Sequence, residues 1–488
     1  MNARSGKVVS KRPKHSSTAA ATHNKNLIKN EEKEDIFSKL PDELFTNIIS
    51  LIPDARDAKR TCILSKRWNY IWEFLPILCF VMPFLRYNKQ ENEFYYDFTR
   101  CNLLPNEQVL QKFNDSVDKA LALRNSKPIQ KFFLCLSKDF DYSRVLNWLR
   151  IVISCLVQQL ELILAASTSG YCVRFYWGIL KNCDNLIELT LNGKFVLDVP
   201  ESNGVLFPSL KKLILMYIIY SGENTFVNVI SQCPVLEELI VKKLYYQGND
   251  LIETFKVSSA SLKSLSLSLI DYDSQVMVHD VFIDAPNLEY IYMLDEVTSE
   301  YHMTESLSLV EAHIDTSRRL LELFTSLSSI KKLTLTRQTI RALNTIHSSI
   351  NVELLFPNLV KLLIGISGSW EWDFVLDFLN HMPYLKHIPF TDGLLCADQI
   401  YLQECNQLEE TPPPSCLLSN VKEIVILNLD AILWEEFAFI KYLLNNANKL
   451  ETLKIIAPDI SPKRRAEIFS LVDPNFVVLN LFEASPSS

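Results

Sequence analysis

The chain has 488 residues, 48% of them hydrophobic and 22% charged, so it exceeds one ordinary domain and can bury a large core. A formal net charge of −8 argues against a nucleic-acid-binding body, which would be basic. Eleven cysteines, an odd total with no C-x-x-C spacing, suit a reducing compartment and structural thiols.

Residues 1–34 carry Arg4, Lys7, Lys11, Arg12, Lys14, Lys25 and Lys29 before the first acid, Glu31, amid Ser, Thr, Ala and Asn, which predicts a disordered basic tail. The polar N-terminus is not built like a secretory signal. The run from Lys11 to His15 has the composition of a nuclear-import signal and equally that of a solvated tail. The expected location is the nucleus and/or the cytoplasm.

Residues 35–80 form the next unit. Pro41 suits a first helical turn, and Leu44, Phe45, Ile48, Ile49 and Ile52 recur at helical spacing until Pro53 stops the helix. Asp57 can cap a second helix, whose apolar stripe is Cys62, Leu64, Trp68, Ile71 and Trp72, with Lys59, Arg60, Lys66 and Arg67 beside it. Segments below roughly 40 residues rarely hold a core unaided, so part of this surface meets a partner or a core farther along the chain.

LPDEL at Leu40 to Leu44, LSKRW at Leu64 to Trp68 and then Trp72 resemble the F-box, the motif by which F-box proteins bind the Skp-family adaptor of a cullin-RING ubiquitin ligase. The resemblance implies that Leu40, Pro41, Leu44, Ile48, Ile49, Leu64 and Trp68 contact the adaptor. The segment from Pro53 to Thr61 is one residue longer than is usual in relatives, a loop insertion worth tenths of a kcal/mol. Lys59 stands where an apolar residue is common, and its stem can lie along a groove with the ammonium in water.

The apolar run from Phe74 to Leu85 is too short for a bilayer, holds Pro76 and Pro83, and reads as a buried strand. The chain then repeats itself, through the repeat unit at residues 81–411 and on into the unit after it. An L-x-x-L-x-L register starts at Leu186, Leu210, Leu236, Leu262, Leu288, Leu309, Ile330, Leu359, Leu385, Val421 and Leu450, with weaker copies at Ile129 and Val157. The starts from Leu210 to Leu288 are spaced 26 apart, a period that signals leucine-rich repeats. In each copy alternate residues of a short strand point inward, and only stacking on neighbours covers that apolar face.

The expected fold is therefore α/β: a small N-terminal helical F-box, then an irregular repeat solenoid with a curved parallel sheet and a helical convex face. Segments 109–123, 145–157, 226–236, 374–385 and 437–450 have the apolar spacing of the covering helices. Cys183 and Cys233, each three residues before a repeat leucine, are placed where a small buried side chain closes a turn. Eight residues after successive starts stand Lys194, Ile218, Leu244, Ile270 and Glu296, so no asparagine ladder forms. The repeats resemble the irregular ones of plant F-box proteins.

Pro412, Pro413 and Pro414 open the last unit, 412–488. Its stretch from Cys416 to Pro458, with an acidic-aromatic helix ending Tyr442-Leu443-Leu444-Asn445-Asn446-Ala447, resembles the FBD domain of plant F-box proteins.

No P-loop, G-x-S-x-G or H-E-x-x-H occurs, ten glycines leave little for phosphate-cradling loops, and the adjacent acids Glu409-Glu410 and Glu435-Glu436 read as solvated faces. No catalytic residue, metal or cofactor is expected. The resemblance implies a substrate receptor of an SCF-type ligase, bound through a Skp-family adaptor to a cullin and holding a target protein, with neither nucleic acid nor membrane as partner. A leucine-rich scaffold or sensor not coupled to a ligase is the alternative. Strand alternation places Lys212, Glu238, Ser264, Ser266, Ser268, His313, Asp315, Thr334 and Thr336 on the concave side. With them lie Ile214, Met216 and Ile240 beside Lys242, an apolar centre with a charged rim that suits target binding.

Overall fold

The computed structural model describes residues 75–82, 85–88, 93–96, 107–122, 124, 127–137, 140–165, 172–199, 201, 206–245, 254–271, 279–304, 306–317, 320–349, 355–366, 371–391, 411–427, 434–457 and 478–483, with single positions at 41, 44, 48, 466, 469 and 470. The basic tail and most of the proposed F-box, including Leu40, Ile49, Leu64 and Trp68, lie outside them.

One 15-stranded parallel sheet runs through the described chain in sequence order. Its strands are β1 (Ile77–Val81), β2 (Lys131–Leu136), β3 (Gln159–Leu164), β4 (Glu188–Asn192), β5 (Lys212–Met216), β6 (Glu238–Tyr245), β7 (Ser264–Asp271), β8 (Tyr290–Asp295), β9 (Glu311–Thr316), β10 (Lys332–Leu335), β11 (Lys361–Ile364), β12 (His387–Phe390), β13 (Glu423–Ile426), β14 (Thr452–Ala457) and β15 (Val478–Glu483). Each of the thirteen register starts is followed two residues later by a strand, so the repeat leucine sits just before the ladder. β1 falls within the apolar run read as a buried strand.

The register runs straight across the sheet. Leu213, Leu239, Leu265, Ile291 and Ala312 are successive partners, all with 0% exposure, and together form one row of the core. The approach to most of the strands is closed by a recurring hydrogen bond. The N–H of Leu186, Leu236 and Leu288 donates to the carbonyl three residues earlier, on Cys183, Cys233 and Ala285. The expectation that this position takes a small side chain holds for these repeats alone, since Phe207, Leu327, Phe356 and Met382 accept the same bond in others, and burial pushes the Cys183 and Cys233 thiols up to about 12.

Behind the sheet lie α1 (Glu107–Ala122), α2 (Tyr142–Ser154), α3 (Thr225–Ser231), α4 (Leu320–Thr325), α5 (Arg337–Ser349), α6 (Trp372–Leu379), α7 (Ser415–Ser419) and α8 (Trp434–Asn446). All five segments expected to be helical are represented. The middle of this layer corrects the expectation of a helical convex face. There, Thr254–Ser258, His279–Asp284 and Thr298–Met303 form a second parallel sheet, and Val173–Phe175, Phe195–Leu197 and Ile219–Tyr220 a third. The reason is the period of the sequence. TFKVS buries Phe255 and Val257 and exposes Lys256, a two-residue alternation that a helix cannot satisfy.

The C-terminal unit continues the ladder. β13 pairs in parallel with β12, Asn420 Nδ2 donates to the Pro383 carbonyl at 2.7 Å, and the Trp372 and Phe439 rings stack at 4.7 Å.

Gly193 turns the chain from β4 towards Phe195–Leu197 with φ of +124°. A Cβ there would stand 2.6 Å from the Leu164 Cβ. Gly193→Ala is expected to destabilise the fold by about 1–3 kcal/mol, read as a lower melting temperature. An unchanged melting temperature would show that this turn relaxes freely.

Candidate protein-binding face

The face of the sheet turned away from the helices carries the residues that alternate with the core. On β5 and β6 the burial pattern places Ile214, Met216, Ile240 and Lys242 on this face, all half-buried. Ile214 and Ile240 are direct partners across the ladder, and so are Met216 and Lys242. Lys242 Nζ stands 5.0 Å from the centre of the Tyr217 ring. Its charge is held beside an aromatic face as well as at the rim of the isoleucines.

Extending the register shows a longer feature. Thr190, Ile214, Ile240, Ser266, Tyr292, His313, Thr334 and Leu363 are successive partners from β4 to β11. They form an uncharged, half-buried row crossing the strands, about 34 Å long at about 4.8 Å per strand. Tyr292 and His313 stack with ring centres 4.6 Å apart. Burial holds the His313 imidazole below its ordinary range despite the opposing pull of Asp315 and Glu311, so the row is uncharged at neutral pH. Burial, then Asp315 and Tyr290, raises the Tyr292 hydroxyl. Asp315 is fixed by Thr336 Oγ1 and Gln338 Nε2, each donating at 2.5 Å.

Sequence reasoning passed over Tyr290 and Tyr292. The alternation after Leu288 is the signal that finds them, since YIYMLD buries every second residue. It also missed Lys243, which is 1% exposed on the core side of β6. Its ammonium donates to the Ile218 carbonyl at 3.5 Å and stands 4.9 Å from the Tyr220 ring. Burial pulls its pKa down to about 7.

Because the folded pKa lies below the unfolded one, the unfolded chain binds more protons between about 7 and 10.5, and stability rises with pH across that window. Unfolded thiols begin to ionise near pH 8.5, which bounds the useful range. Between pH 7 and 8.5 wild-type protein is expected to gain about 1–2 kcal/mol relative to Lys243→Met, measured by denaturant unfolding. A constant difference between the two would show that Lys243 does not titrate there.

Of the residues expected to face an adaptor, Pro41, Leu44 and Ile48 are described. All are exposed, and Leu44 and Ile48 are helical. Among the described residues no His, Cys, Asp and Glu side chains converge as a metal site, and no helix is long and apolar enough to cross a membrane.

Comparison with known proteins supplies the relationships. The family model described as FBD-associated F-box protein At5g56370, LRR repeats, matches residues 145–390, and the FBD model matches 409–455. The chain is 25% identical over 448 residues to the putative FBD-associated F-box protein At5g50270 of Arabidopsis thaliana, covering 89% of this chain and all of the relative. It is 32% identical over 285 residues to the F-box/LRR-repeat protein At3g59190 of the same plant, covering 58% of this chain and 67% of the relative. The F-box/LRR-repeat protein At4g14096 of Arabidopsis thaliana is 28% identical over 446 residues, with 86% and 87% covered.

Proposed function

The chain belongs to the FBD-associated F-box family with leucine-rich repeats, and from that premise we propose that it is the target receptor of an SCF-type ubiquitin ligase. In this reading the F-box residues Leu40, Pro41, Leu44, Ile48, Ile49, Leu64 and Trp68 bind the Skp-family adaptor, and through it a cullin. The open face of the sheet holds the target. The receptor catalyses nothing itself. It raises the effective concentration of the target beside the ubiquitin-carrying subunit and so makes transfer quasi-intramolecular.

The observation that carries the recognition half is the uncharged row from Thr190 to Leu363, with the isoleucines at one end and the Tyr292–His313 stack near the other. Aromatic and aliphatic side chains held on rigid strands, with charges at the rim, have the composition of a protein-binding centre.

Lys59 favours keeping a second reading, an F-box that holds only the adaptor or nothing, leaving a scaffold. Pulldown of the full chain with quantification of adaptor and cullin separates the two. Recovery of both supports the ligase reading, and absence of cullin supports the scaffold.

A further inference from the structure

Most charges on the rim of the open face are cancelled by the neighbouring strand. Lys131 pairs with Glu161 at 3.0 Å, Lys212 with Glu238 at 2.8 Å, and Glu237 bridges Lys211 at 2.8 Å and Lys263 at 3.0 Å. The two lysines hold the Glu237 carboxyl below its ordinary range. The alternation of sign breaks at β10, β11 and β12. Lys332 is the direct partner of Lys361, and Lys361 of His387. Lys331 and Lys386 stand one residue before the outer two of these strands.

The carboxylates on either side are already engaged. Glu311 takes Lys332 at 3.1 Å, Glu423 takes His387 at 3.0 Å and Lys454 at 2.7 Å, and Glu451 takes Lys422 at 2.5 Å. Among the described residues Lys331, Lys361 and Lys386 have no carboxylate in ion-pair reach. Lys331 and Lys386 are exposed and Lys361 is half-buried. Lys361 lies between Lys332 and His387, which are engaged by Glu311 and Glu423, so neither neighbouring strand supplies it with a carboxylate.

We propose that Lys331, Lys361 and Lys386 form a docking site for an acidic segment, a run of Asp and Glu residues, on the target protein. The inference rests on reading the open face as the recognition surface, and not on coupling to a ligase. Three cations on three consecutive strands span about 10 Å, the reach of three or four residues of extended chain. Carboxylates on one side of such a segment recur about 6.8 Å apart, so two of them lie within reach of the three flexible lysine side chains.

A single tetrahedral anion fits less well, because the backbone N–H groups that would cradle it are spent. The N–H of Lys331 and of Lys332 donates to the Val310 carbonyl, that of Lys361 to Lys331, and that of Lys386 to Val360. Nucleic acid fits less well too, since the basic side chains on either side, Lys332 and His387, are already engaged by Glu311 and Glu423, so no basic track continues beyond the patch for a phosphate backbone to follow. The patch adjoins the uncharged row through Leu363, which lies two residues beyond Lys361 on the same strand and face. A target with an acidic run next to an uncharged, partly apolar stretch would cover both.

The test uses purified full-length protein and a fluorescein-labelled peptide with a central run of four glutamates, beside its glutamine and phosphoserine counterparts, read by anisotropy. The glutamate peptide is expected to bind, to weaken with added salt, and to lose about tenfold in affinity in Lys361→Glu/Lys386→Glu. Lys211→Glu, outside the patch, should leave it unchanged. Lys361→Gln/Lys386→Gln serves if charge reversal disturbs folding, judged by melting temperature. Equal binding of the glutamine peptide, binding of the phosphoserine peptide alone, or indifference to the patch variants would overturn the proposal. Adaptor co-purification measured on the same proteins reports on the ligase reading separately.

Discussion

Alanine at both Leu40 and Pro41 is expected to abolish co-purification of the Skp-family adaptor while leaving the melting temperature of the repeats unchanged. Leu44 and Ile48 lie one helical turn apart, so they share a face, and they are 53% and 44% exposed. Apolar side chains left this open offer a partner surface to fill. Buried anchors of such interfaces cost roughly 2 kcal/mol or more each when truncated, so losing two weakens binding by about a thousandfold if their effects add. Leu44→Asp with Ile48→Asp should act the same way on the described part of the face. Adaptor recovery equal to wild type from either double variant would remove this face from the interface.

The second large effect separates two adjacent residues. Leu239 has 0% exposure and partners Leu213 and Leu265 in the buried row, so Leu239→Ala is expected to cost about 2–5 kcal/mol whatever partner is present. Ile240, the next residue, is half-buried on the other face. Ile240→Glu should leave a folded, adaptor-binding protein that no longer supports ubiquitination of its target, and Lys242→Glu should weaken the same step. Unfolding by Ile240→Glu would mean that the position belongs to the core. Normal target ubiquitination by both face variants would move recognition elsewhere on the sheet.

Leucine spacing made the ladder legible because a solenoid repeats one physical problem: each strand must hide one face and can do so only against its neighbours. Leu186, Leu210 and Leu236 therefore announced strands two residues ahead of them. The back of the molecule was less legible, since a short run such as TFKVS covers the core as well from a strand as from a helix turn, and only its alternation decides. Lys243 was unreadable for another reason. β6 runs to Tyr245, beyond the L-x-x-L-x-L window, and its alternation turns the second of two adjacent lysines into the core beside Tyr220. The partner row from Ile214 to His313 needed registers across strands, which spacing along one strand does not supply, although His313 itself was readable from alternation. The unmatched lysines of β10 to β12 likewise emerge only when neighbouring strands are set side by side.

The most direct test of the receptor assignment is quantitative profiling of ubiquitinated proteins and their abundance in cells carrying wild-type chain, the Leu40→Ala/Pro41→Ala variant, the Ile240→Glu variant, or no chain. The account predicts a common set of proteins that lose ubiquitination and gain abundance in the last three relative to wild type. The same profile in all four would contradict it.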